Sequence, residues 1–191
     1  MAKQITSKKN IKKTFHEVTA PLTAEKIYLY ATNKEDLINK TIKLDLTKKL
    51  RGKSLELKLR IKKEGEKLLG TPESIELAGA YIRRAMHKGI DYVEDSFEIE
   101  CKDCFVRIKP LLLTRKRVSR SVLKALRENT KKNIESLIKT RFSQEIFSDI
   151  ITNKLQKQLS LKLKKIYPLA LCEIRIFQIL RKKDEKFAEK K

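Results

Sequence analysis

The chain has 191 residues, with 46 Lys and Arg against 24 Asp and Glu, so its formal charge is +22 at neutral pH. That much self-repulsion implies a polyanionic partner, nucleic acid or an anionic membrane. With 40% hydrophobic residues the chain has enough apolar material for a folded body, and no apolar run reaches the roughly 20 residues of a membrane span.

Residues 1–13 carry Lys3, Lys8, Lys9, Lys12 and Lys13 with no acid. They read as a basic arm whose charge seeks a partner, and the segment lacks the apolar stretch of a secretory signal. From Phe15 the pattern becomes one of strands. FHEVTAP alternates and ends at Pro21; AEKIYLYAT places Ile27 and Leu29 on one face and Tyr28 and Tyr30 on the other. Period-two alternation follows in TIKLDL (Ile42, Leu44, Leu46) and in SLELKLRI (Leu55, Leu57, Leu59, Ile61), the signature of a sheet with one buried face. Glu64-Gly65-Glu66 predicts a hairpin tip into KLLGTPESIEL.

GAYIRRAMHK (79–88) breaks the alternation. Tyr81, Ile82, Ala85 and Met86 share one helical stripe, with a stop expected at Gly89. Strands resume in SFEIEC, turn tightly at Lys102-Asp103, and continue in CFVRIKPLLLT, where Pro110 demands an edge position or a bulge. Residues 119–141 place Val122, Leu123, Leu126, Ile134, Leu137 and Ile138 along a long helix. SQEIFSDIITNKL predicts a second helix, and Leu159, Leu163 and Ile166 a third that stops before Pro168. ALCEIRIFQIL reads as a strand rejoining the sheet, and RKKDEKFAEKK as a charged tail.

The expected fold is therefore α+β: a mostly antiparallel, barrel-like sheet with a short helix, a C-terminal group of about three helices, and a closing strand near 170–180. The expected organisation is a flexible basic arm at 1–13, one α+β domain at 14–181, and a flexible tail at 182–191. Within the domain, 14–114 is β-rich, 119–167 helical and 170–180 the closing strand.

Catalytic chemistry finds little support. His16 alternates within a strand and reads as a partly exposed sheet residue; His87 ends a basic helix, where a cation suits the dipole. Five glycines do not assemble a phosphate cradle, and no Walker motif is present. The acids Asp91, Glu94, Asp95, Glu98 and Glu100 read as a solvated edge or a contact for a basic neighbour. Cys101-Lys102-Asp103-Cys104 is a CxxC, but a structural zinc needs four ligands, and a redox pair normally opens a helix rather than bridging strands. With no secretory signal, the three cysteines are expected as reduced thiols in the cytosol. No catalytic residue, metal site, cofactor or small-molecule substrate is expected.

The charge distribution is more informative. Residues 114–141 hold ten Lys or Arg against Glu128 and Glu135. Arg115, Lys116, Arg117 and Arg120 lie where a strand hands over to the long helix, with Lys124 one turn further and Ser119 or Ser121 as a cap. Guanidinium groups and helix N-terminal amides both engage phosphate oxygens. A third patch comprises Lys154, Lys157, Lys162, Lys164 and Lys165. Any one of these lysines alone reads as solvated; the clusters make the case. Aromatic content of 6% without Trp predicts weak base stacking and favours recognition of RNA by backbone and shape. The expected RNA-binding set is thus Lys8, Lys9, Lys12, Lys13, Arg115, Lys116, Arg117, Arg120, Lys124, Lys162, Lys164 and Lys165. A basic amphipathic membrane helix at 119–141 is the weaker reading, since its apolar stripe has no Trp or Phe before Phe142. No membrane partner is expected.

The order of these segments resembles a known family. FHEVTAP after a Lys-rich arm, NKTIKLDL, ELKLRI, YIRRAMHK, SFEIECKDCFVRIKPLLLTRKR and KKIYPLALCEIRIFQIL follow one another over about residues 12–181. Ile166, Tyr167, Pro168 and Leu169 match as they stand. The set resembles the archaeal and eukaryotic small-subunit ribosomal protein family called S-three-a-e, or e-type S-one. The resemblance implies a cytoplasmic, non-catalytic component of the small ribosomal subunit, on the platform near the messenger exit and the 3′ end of the rRNA. Small-subunit rRNA and neighbouring ribosomal proteins are the implied partners, with messenger RNA a further candidate. The chain departs from the family pattern at Cys104, where Gly is usual, in a shortened loop near Lys48–Lys53 and in a short tail. A basic RNA-binding regulator outside the ribosome is the alternative.

Overall fold

The computed structural model describes residues 12–50 and 52–182. They fall into two compact units: residues through Ile42 together with Arg60–Thr71, and Lys43–Leu59 together with Pro72 onward.

In the first unit, β1 (Thr14–Ala20) and β2 (Glu25–Ala31) form an antiparallel hairpin that pairs Phe15 with Tyr30, Glu17 with Tyr28 and Thr19 with Lys26. Alternation decides which side is buried. Val18, Ala31, Leu37, Ile61 and Leu68 form a core, against which Ile27, Leu29 and Ile42 pack. A 3-10 turn at Glu35–Leu37 brings Leu37 in. β3 (Thr41–Asp45), β4 (Leu55–Glu64) and β5 (Lys67–Leu77) follow in the chain. Leu55, Leu57, Leu59 and Ile61 are fully buried at every second position, as the sequence pattern requires. Gly65 sits at φ +62 between β4 and β5, a left-handed conformation that glycine adopts without Cβ strain. Val18–Leu68 and Thr19–Leu69 join β1 to β5 in parallel.

In the second unit, α1 (Gly79–Ala85) is shorter than the sequence stripe suggests. It ends at Ala85, three residues short of the expected last residue Lys88, because Met86 turns to extended backbone (φ −86, ψ 123). A three-residue strand that alternation does not reveal, β6 (Tyr92–Glu94), precedes β7 (Phe97–Glu100) and β8 (Cys104–Thr114). β8 is the centre of this unit: β6, β7 and β9 (Leu169–Lys182) all pair with it antiparallel. Pro110 lies in this interior strand at a register shift after Lys109, so the bulge, not an edge position, accommodates its missing N–H. β9 also pairs antiparallel with β5 through Ser74–Glu76.

Three helices complete the second unit: α2 (Arg120–Ile138), α3 (Ser143–Ile151) and α4 (Lys154–Leu163). α4 packs on β9, on α2 and on α3. Their buried side chains include Leu126, Ile134, Ile138, Ile146, Ile150 and Leu159. Phe147 meets Phe177 of β9 edge-on, with ring centroids 4.9 Å apart, a preferred aromatic geometry. Lys53, almost fully buried, donates from Nζ to Glu173 Oε2 at 2.5 Å and to Asn153 Oδ1 at 2.6 Å. It thereby ties the loop before β4 to β9 and to the α3–α4 junction.

The fold class is thus α+β, with a mostly antiparallel sheet, but the barrel-like expectation needs correction. Among the described residues, β2 pairs only with β1, and β6 and β7 only with β8. No pairing among the described residues joins these outer strands, so the sheet is open. Alternation identifies a buried face, whereas closure depends on whether terminal strands meet, which no local pattern encodes. Among the described residues, no helix is long and apolar enough to cross a membrane.

Candidate nucleic-acid interface

The strand-to-helix corner predicted between β8 and α2 is a pinned loop with its charges outward. Thr114, the last residue of β8, is fully buried. Its single hydroxyl proton is shared between the Asp91 and Lys116 carbonyls, each 2.8 Å away, and its oxygen accepts from the Asp91 amide at 2.9 Å. Asp91 Oδ2 accepts the Val118 amide at 2.8 Å, and the Thr114 amide donates to the Asp91 carbonyl at 2.9 Å. These bonds fix the backbone on both sides of Arg115, Lys116 and Arg117, whose side chains are exposed. Arg120 opens α2 and Lys124 lies four residues on, both exposed, so the two share a helix face. Among the described residues, no carboxylate is paired with any of these five cations. Ser119 occupies the N-cap position, yet its hydroxyl makes no cap bond; it shares a hydrogen bond with Ser121 Oγ at 2.9 Å. The expected side-chain cap is thus replaced by a hydroxyl pair, and the first-turn amides are not satisfied by it.

The remaining predicted residues are scattered over other elements. Lys162, near the end of α4, and Lys164 and Lys165 just beyond it are exposed. Lys12 and Lys13 are exposed ahead of β1 in the first unit; Lys8 and Lys9 lie outside the described residues.

The acidic run combines partners within the chain with an exposed edge: Glu98 and Glu100 face solvent, while Asp91, Glu94 and Asp95 are half-buried. Asp91 holds the corner, Glu94 pairs with Arg175, Asp95 lies 3.9 Å from Arg127, and Glu98 pairs with Arg107 at 2.7 Å. Asp91 and Thr114 are 23 residues apart, which leaves no periodic trace.

The CxxC forms the predicted tight turn between β7 and β8, with the Cys101 amide donating to the Cys104 carbonyl at 2.8 Å. Both residues are buried and reduced. A hydrogen bond with Cys101 holds the Cys104 thiol below the ordinary thiol range. Asp103 accepts from the Ser143 amide at 3.0 Å and from the Ser143 hydroxyl, anchoring the turn to the start of α3. Burial opposes the Asp103 charge, but these bonds leave its carboxyl below the usual carboxylate range. Burial, with the Glu173 charge adding to it, pushes the Cys172 thiol up to about 12, so this cysteine is protonated at neutral pH. Among the described residues, no group of three or more His, Cys, Asp or Glu is arranged to hold a metal.

One feature runs against the expectation from aromatic content. Tyr and Phe total 5 and 7, and three of these rings gather on the outward face of the β1–β2 hairpin. Phe15, Tyr28 and Tyr30 are 71%, 61% and 60% exposed. The Phe15 and Tyr30 ring centroids lie 5.1 Å apart, and Lys13 Nζ sits 5.9 Å from the Tyr30 ring. Beside them Lys26 pairs with Glu17 at 2.9 Å. The alternation of Tyr28 and Tyr30 against Ile27 and Leu29 already carried the signal.

A family model described as the Ribosomal S3Ae family matches residues 1–183 of the chain. Among similar proteins are three archaeal proteins named small ribosomal subunit protein eS1. That of Nanoarchaeum equitans is 32% identical over 119 residues, which cover 59% of this chain and 60% of the relative. That of Pyrobaculum aerophilum is 31% identical over 159 residues, covering 79% and 71%. That of Desulfurococcus amylolyticus is 27% identical over 170 residues, covering 85% and 80%. The matched span thus ranges from three fifths to four fifths of these relatives.

Proposed function

Because the chain belongs to the Ribosomal S3Ae family, we propose that it is a non-catalytic structural component of the small ribosomal subunit that binds rRNA. The observation that carries this reading is the corner at 115–120, where cations with no carboxylate partner among the described residues project from a backbone fixed by Asp91 and Thr114. A fixed backbone orients guanidinium groups toward phosphate oxygens at little entropic cost, and uncapped amides at the start of α2 add donors of the same sign. Lys12, Lys13, Lys124, Lys162, Lys164 and Lys165 extend the binding surface, and the arm containing Lys8 and Lys9 joins them. On this reading the protein sits on the platform of the cytoplasmic small subunit, near the messenger exit and the 3′ end of the rRNA, among neighbouring ribosomal proteins. Messenger RNA is a further candidate partner.

The test is the salt dependence of binding to a small-subunit rRNA fragment. With about 6–10 phosphates contacted, affinity falls on the order of 10³–10⁵-fold between 50 and 200 mM salt. A flat response overturns the reading. Gradient sedimentation separates it from a regulator acting outside the ribosome, which would stay in the light fractions.

A further inference from the structure

We propose that the outward face of the β1–β2 hairpin binds single-stranded RNA by stacking unpaired bases on Phe15, Tyr28 and Tyr30. The inference rests on the RNA-binding reading above and adds a second, different mode of contact: rings for bases, where the corner offers cations for phosphates.

The six outward positions of the paired strands are Phe15, Glu17, Thr19, Lys26, Tyr28 and Tyr30. Half are aromatic and none is aliphatic. Nothing in the core requires these rings, since the opposite face of the same strands supplies Val18, Ile27, Leu29 and Ala31. Three large rings exposed by 60% or more form a contiguous apolar surface of the kind that marks a binding site. Protein interfaces favour aromatic side chains too, so the choice of occupant turns on the lysines beside the rings. Rings flanked by Lys13 at one end and Lys26 at the other match what nucleobases and the sugar-phosphate backbone require together.

Charge supports the same occupant. Lys13 lies over the Tyr30 ring at one end of the row. Along the flank, a shallow cavity of ≈ 490 Å³ is lined by Lys26, Lys34 and Lys67 together with Glu17 and Glu66, so the cations outnumber the acids. Strand geometry also selects the form of RNA. Tyr28 and Tyr30 are two residues apart on one strand, hence about 6.6–6.8 Å along it. That is about twice the 3.4 Å per base of a stacked strand, so the two tyrosines take bases splayed from one another. Paired RNA keeps its bases stacked and does not offer them.

The experiment compares the full-length protein with F15L/Y28L/Y30L and with Y30F. Each is titrated with an unstructured oligo(U) eight-mer and with a blunt-ended RNA duplex at one fixed salt concentration. All three side chains lie outside the core, and a circular-dichroism melt verifies that the variants fold. The expected result is a loss of about tenfold or more in oligo(U) affinity for the triple variant. Affinity for the duplex should be unchanged, and Y30F should retain single-strand binding. Equal oligo(U) affinity for wild type and triple variant overturns the inference and leaves the rRNA reading intact, as does a wild type that binds the duplex but not oligo(U). A wild type that binds neither RNA overturns both. Ultraviolet crosslinking of assembled subunits supplies a second readout. Nucleotide adducts on Phe15, Tyr28 or Tyr30 support stacking; adducts joining them only to polypeptide assign the face to a protein neighbour and overturn it.

Discussion

Lys53 and the corner at Arg115–Arg120 use the same kind of charge in opposite ways. Lys53 is 8% exposed and spends its ammonium on Glu173 and Asn153, tying three parts of the second unit together. At the corner the polar bonding falls on the backbone and on Thr114 and Asp91, while the cationic groups stay in solvent. The difference teaches that the excess positive charge cannot be read as one undivided binding signal. A cation contributes to the fold where a buried carboxylate meets it, and it remains available to a phosphate where only the backbone beneath it is held.

The largest effect is expected at the inward cation. Lys53→Met leaves the Glu173 carboxylate buried without its charged partner, a loss on the order of 3–5 kcal/mol. The double variant Lys53→Met/Glu173→Leu removes both charges and should recover most of it, because an apolar replacement of a buried pair is often neutral or stabilising. Denaturant midpoints of the two variants against wild type check this. A double variant as unstable as the single one would locate the contribution in Asn153 or in packing instead.

At the outward cations the expectation reverses. Replacing Arg115, Lys116, Arg117 and Arg120 by Ala should leave the denaturant midpoint nearly unchanged, since exposed substitutions usually fall within about 0.5 kcal/mol. The slope of log affinity for rRNA against log salt should fall by about one for each phosphate that the variant no longer neutralises. If stability drops and the slope does not, the contrast between the two regions fails.

Asp91 sharpens the comparison because charge and position predict opposite outcomes there. Asp91→Ala makes the protein more positive, which by electrostatics alone strengthens RNA binding. It also removes the acceptor of the Val118 amide, so a positioned corner predicts weaker binding. We expect a stability loss of about 1–2 kcal/mol, accompanied by a several-fold drop in rRNA affinity at fixed salt. Tighter binding would mean that the corner acts by charge density and needs no fixed shape.

These two regions also mark what the sequence makes legible. The buried alternation at Leu55, Leu57, Leu59 and Ile61, the Gly65 hairpin tip and the Lys102-Asp103 turn are local, so spacing and residue type suffice to place them. The position of the basic corner is local as well, between a strand pattern and a helix pattern. What holds the corner is not, since Asp91 and Thr114 meet across 23 residues, and Lys53 and Glu173 across 120. β6 has only three residues, too few for alternation to register. The aromatic face was visible residue by residue, as Tyr28 and Tyr30 opposite Ile27 and Leu29, but composition averaged it away: 6% aromatics over the chain says nothing about three rings on one hairpin.

The smallest effect belongs to a third acid with an internal task. Asp103 joins the β7–β8 turn to α3 through the Ser143 amide and hydroxyl. Burial raises its pKa, but the hydrogen bonds outweigh burial and hold it below the unfolded value. A depressed carboxyl contributes stability that is present above the unfolded pKa, about 3.9, and is lost as pH falls through the lower folded value. Asp103→Asn keeps an oxygen for the Ser143 amide and replaces the other by an NH2 that can donate to the Ser143 hydroxyl, so the charge is the main loss and at pH 7 the cost should stay under about 1 kcal/mol. Denaturant midpoints followed from pH 7 to pH 2 should show wild type and variant converging below about pH 4. Parallel curves across that range would show that the turn is held by shape alone. Convergence would place Asp103 with Asp91 and Glu173, as acids whose negative charge secures the protein's own fold.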